Sequence, residues 1–123
     1  MRVEIGLALV FLTLAGAVPA FAQSNCVAPI PPAAPDGRTA TQQQMVAAVN
    51  DAKNFIAQSD VYQQCLLDYV QTQKDQAAKS KKKFDASIAA DANKKITENQ
   101  AEKQQTGNAI NAAVNLYKTS HSK

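Results

Sequence analysis

From Arg38 to Thr106 the chain contains no Gly and no Pro, and Ala, Gln, Lys and Asp dominate. Most of these residues lose little side-chain freedom in a helix, and the two strongest helix breakers are missing, so the stretch reads as helix. Thr41 and Gln44 have the spacing of a capping box at its start, with Thr39 as an alternative start. At about 100° per residue, Met45, Ala48, Val49, Ala52, Phe55, Ile56, Ser59, Tyr62, Leu66, Tyr69, Val70, Gln73 and Ala77 fall on one stripe. Leu67 sits at its edge, and Val61 and Cys65 stand off it as an i, i+4 pair. A second stripe runs through Phe84, Ile88, Ala89, Ala92, Ile96, Asn99, Thr106, Ile110, Val114 and Tyr117, with a polar middle.

The apolar phase is lost at Lys79-Ser80-Lys81-Lys82-Lys83, which places a reversal there. Two segments of nearly equal length on either side suit an antiparallel hairpin. No Gly or Pro marks the turn, so a single long helical rod is the competing reading, with Gly107 dividing off a short C-terminal helix. The fold class is all-α in both cases: an extended Pro-rich arm plus a long helical hairpin, or the arm plus a rod.

Ahead of the helical stretch, Pro29, Pro31, Pro32 and Pro35 make the chain extended and polyproline-like, and Pro35-Asp36-Gly37 is a turn signal. The arm carries Cys26 and the helix carries Cys65. Running back from Thr41, the helix reaches Cys65 in about 36 Å, and the arm reaches Cys26 in about 46 Å less what the turn consumes. An arm folded back along the first helix therefore brings the two cysteines together, and a disulfide is expected. Cys26-x-x-Pro29, Pro35-Asp36-Gly37, the Ala/Gln-rich helix and Tyr62-x-x-Cys65 together resemble a group of small uncharacterised secreted proteins of proteobacteria. The resemblance covers roughly residues 26 to 70 and brings no established activity with it.

The first segment sets the compartment. Met1-Arg2 is a short positive start, Ile5 to Ala17 is almost unbroken apolar sequence, and Ala20-Phe21-Ala22 has the small-x-small form read by signal peptidase. Cleavage between Ala22 and Gln23 divides the chain into a signal peptide (1–22), the arm (23–40), a helical domain (41–119) and a disordered tail (120–123). The expected product is periplasmic or secreted and has no transmembrane segment. Two cysteines in an oxidising compartment, with His121 far away, favour a bridge over a metal site.

Little chemistry is offered. The carboxylates are spread along helices with nothing to enclose a pair, and His121 sits in a terminal stretch expected to fray, which cannot hold a base against a Ser or Cys, so no catalytic residue, metal site or cofactor is assigned. Residues from Gln23 onward include only 16 Leu, Ile, Val or Phe among 101, about 16% and below the ~20% at which burying a core becomes difficult. That deficit points to self-association or a partner helix. The charge is uneven: ten Lys against five acidic residues lie between Lys74 and Lys123. Lys79, Lys81, Lys82, Lys83, Lys94 and Lys95 are candidates for holding an anionic envelope polymer or lipid head groups. Specific nucleic-acid recognition is not expected, because Arg and interleaved aromatic residues are lacking.

Overall fold

The computed structural model describes residues 24–122. Among the described residues are two helices, α1 (Gln42–Lys79) and α2 (Ala86–His121), packed antiparallel along their length. Among the described residues there is no strand. The segment 1–22 and the cleavage residues Ala22 and Gln23 lie outside the described residues.

The start of α1 is the expected capping box. Gln44 N–H donates to Thr41 Oγ1 at 3.2 Å, and Thr41 N–H donates to Gln44 Oε1 at 2.8 Å. These bonds satisfy donors that a helix N-terminus otherwise leaves open. The end of α1 decides between hairpin and rod. Lys82 N–H reaches Ala77 O at 2.9 Å and Lys81 N–H reaches Ala78 O at 3.1 Å, the paired bonds of a Schellman motif. Lys81 occupies its left-handed position, with φ of 53°. Glycine usually stands there, and a lysine does so at a steric cost. The chain then reverses and restarts at Asp85, whose side chain accepts from Ser87 N–H at 2.9 Å.

The rod and its separate final helix are therefore excluded. α2 passes through Gly107 without a break, and a Cβ there would meet nothing within 4 Å. The boundary at 119 is also corrected, since α2 continues to His121. The His121 ring stacks on Tyr117, with centroids 4.2 Å apart, and its Nδ1 lies 2.9 Å from Tyr117 O, which ties down the last turn.

Both stripes face each other, and every residue on them is buried or half-buried. Three apolar clusters follow one another along the hairpin. Ala40, Met45 and Ala113 lie nearest the open end, Ala48, Ala52 and Ile110 follow, and Tyr62, Leu66 and Ala92 lie towards the turn. The polar middle of the second stripe is used between the last two. Asn99, 2% exposed, donates through Nδ2 to the fully buried Ser59 Oγ at 3.1 Å and accepts from Gln63 Nε2 at 2.9 Å. Beside this layer Lys103 bridges to Asp60 across the helices. Unpaired buried amides are costly, so this layer fixes one register between α1 and α2.

The arm is a third layer, and it engages both helices rather than α1 alone. Ala34 packs against the cluster formed by Ala48 and Ala52 of α1 and Ile110 of α2. At the turn, Thr39 and Ala40 N–H groups donate to Asp36 O at 3.1 and 2.9 Å. Gly37 is buried against α2: a Cβ on it would lie 2.1 Å from Ala113 O and 2.7 Å from Tyr117 N. The glycine of the turn signal is thus required by backbone contact with α2, not by a left-handed conformation.

Candidate functional site

Cys26 and Cys65 form a disulfide with Cα atoms 5.8 Å apart, closing 39 residues of chain. With Gly37 seated on α2, the arm is held at both ends. Between those anchors its exposure repeats every three residues, the period of a polyproline helix. Cys26, Pro29, Pro32 and Pro35 are half-buried, and Val27, Ile30 and Ala33 are exposed. The inward edge follows from the bridge: once Cys26 faces α1, each third residue after it does too. The outward edge leaves Val27 84% and Ile30 88% exposed.

Beside this edge lies an open groove of about 480 Å³, floored by Cys26, Tyr62 and Cys65 and walled by Val27, Ala57 and Val61. Val61, which stands off the main stripe beside Cys65, is 71% exposed. Asn25 and Gln58 are the polar residues of the lining, and none of the residues lining it carries a formal charge. Helical periodicity cannot reveal Val27 or Ile30, because they lie outside the helices. The signal that does is the spacing of Cys26, Pro29, Pro32 and Pro35, with the disulfide setting its phase.

The six candidate lysines do not form one cluster. Lys79, Lys81, Lys82 and Lys83 gather at the hairpin turn, where Lys82 and Lys83 border a smaller recess of about 270 Å³ with Phe84 and Ile88. Lys94 and Lys95 lie on α2 and are taken up by their own helix. Lys94 stands 3.9 Å from Glu98 and Lys95 2.8 Å from Asp91, and the hydrogen bond that Lys95 donates to the Asp91 carboxylate raises the Lys95 pKa. Lys74 sits 5.6 Å over the Phe84 ring.

The remaining ionisable groups do structural work. Arg38 holds Asp36 through side-chain and backbone hydrogen bonds, which put the carboxyl below its usual range and raise the guanidinium. Hydrogen bonds from Ser87 lower Asp85 in the same way at the start of α2. Among the described residues no group of three or more His, Cys, Asp or Glu side chains converges as a metal site. Among them also, no helix is long and apolar enough to cross a membrane. The chain matches no protein-family model, no curated protein sequence and no solved structure.

Proposed function

We propose that this chain is an exported, non-catalytic module of the cell envelope, periplasmic or secreted, that works by apolar contact with other protein. The observation carrying this reading is the uncharged face beside the disulfide, where Val27, Ile30 and Val61 are 84%, 88% and 71% exposed. Large apolar side chains grouped in this way on a small protein mark an interaction surface. The helices supply rigidity and the disulfide fixes the arm. Export is supported by the signal-like segment 1–22 and by a bridge of the kind that persists in oxidising compartments. A non-catalytic role is supported by carboxylates that are scattered along the described residues, all exposed but the half-buried Glu102, and by His121 resting on Tyr117.

The turn lysines favour a second reading, in which Lys79, Lys81, Lys82 and Lys83 hold anionic polymers or lipid head groups. None of the four has a carboxylate partner among the described residues. Salt separates the two: association by burial survives ~0.5 M salt, whereas exposed charge contacts are screened over a few Å. Envelope cross-linking that persists at high salt and is lost in Val61→Gln supports the first reading. Cross-linking lost with salt and in a variant with all four lysines changed to Gln supports the second.

A further inference from the structure

We infer that the occupant of the face beside the disulfide is a second copy of this chain, joined about a two-fold axis through the arm edge and the groove. This inference rests on the interaction reading above and names its partner. The face carries a ridge and a hollow side by side. The ridge is the outward edge of the arm, Val27 and Ile30; the hollow is the groove between that edge and Ala57 and Val61 on α1. At about 3.1 Å per residue, Ile30 lies roughly 12 Å beyond Cys26, which in a helix rising 1.5 Å per residue is level with Ala57. Ridge and hollow are therefore at the same height on the molecule. A two-fold axis between two such faces sets the Ile30 side chain of each copy into the groove of the other, so one complementary contact is made twice.

Three further observations favour a second copy over other occupants. An acyl chain or small apolar molecule would fill the hollow but leave Ile30, 88% exposed, standing in water. No Lys, Arg, Asp or Glu lines the groove, so two copies of a chain with net charge +3 meet there without opposing like charges. The area also suffices: Val27, Ile30 and Val61 leave on the order of 400 Å² open per copy. Doubled, with Ala28, Pro31 and Gln58 at the rim, the interface approaches about 1,200 Å², the lower end for specific association. An interface at that lower end belongs to weak, reversible association.

Sedimentation velocity of the oxidised, exported protein between about 5 and 500 µM tests this. The expected result is a monomer–dimer equilibrium that is unchanged at ~0.5 M salt. Ile30→Gln and Val61→Gln, both at exposed positions, should each weaken it at least about tenfold while leaving helicity and melting temperature as in the parent. Ile30→Glu and Val61→Lys should each be monomeric alone and recover a dimer when mixed, which a merely structural effect does not produce. A monomer throughout the range, or a dimer indifferent to both Gln variants, overturns the inference. If the protein stays monomeric while the same variants abolish cross-linking to a different envelope protein, the second copy is refuted and the interaction reading stands.

Discussion

Replacing Gly37 by alanine adds one methyl group at the tightest backbone contact between the arm and α2. The new Cβ would lie 2.1 Å from Ala113 O, 2.7 Å from Tyr117 N and 3.0 Å from Leu116 Cβ. The first two are atoms of a regular helix with no freedom to move aside, so the turn must withdraw by about an ångström to restore ordinary contact. Ala34 and Ala40, which flank Gly37 and pack into the first two apolar clusters, are drawn off with it. Overpacking of this kind costs ~1 to 3 kcal/mol, and the lost alanine contacts push it to the upper part of that range. For a domain near 100 residues that is a fall in Tm of roughly 10 to 20 °C. The control is Gly107→Ala, the same substitution within α2 where nothing lies within 4 Å, which should stabilise by ~1 kcal/mol. Thermal and urea unfolding followed by circular dichroism measure both variants. A Gly37→Ala protein as stable as the parent would refute the contact as the reason for glycine at this position.

Lys81→Gly relieves the left-handed lysine at the end of α1 and should raise stability by ~1 kcal/mol in urea titration; a loss would mean that the lysine side chain has a role of its own at the turn. Cys65→Ser opens a closure spanning 39 residues and should cost about 4 kcal/mol in the chain-entropy model, with new protease cleavage near Ala33-Ala34 and much helix retained. Two free thiols by Ellman titration of the unreduced parent would remove its basis. Asp36 and Asp85 both have lowered pKa values, so their stabilisation is complete above the ordinary carboxylate range and fades as pH falls through the depressed values. NMR titration should place both below pH 3.8 and show the Ser87 amide losing its hydrogen bond in step with Asp85; a carboxyl titrating above 3.8 contradicts the cap.

Much of the hairpin was legible because its determinants are local or periodic. The two stripes assign the facing residues, including the polar Ser59 and Asn99, since a helix repeats its faces whatever occupies them. The capping box at Thr41 and the pairing of Cys26 with Cys65 follow from spacing and reach. The reversal was harder. Its stop signal is built on Lys81, a residue whose type does not announce a left-handed conformation, and only the loss of apolar phase marked it. Gly107 misled for the converse reason: a helix already held by packing on both sides of it tolerates one glycine. Gly37 shows a limit of a different kind, because contact with the backbone of Ala113 leaves no pattern in either segment. The candidate surface was hidden for a similar reason, since Val61 stands off the helix stripe and joins Val27 only where the arm passes beside it.

The disulfide also divides the molecule in a way the helices alone do not. Its covalent loop contains the arm and the first two turns in three of α1, from Cys26 to Cys65, while all of α2 lies outside it. In the oxidised protein α2 is thus the one large element able to detach without breaking a bond, and the seat of Gly37 on Ala113 and Tyr117 acts as its latch. Partial opening accordingly has a direction: amides of α2 exchange with solvent first, and the clipped half keeps its connectivity and reseats the returning helix in the single register set by Asn99.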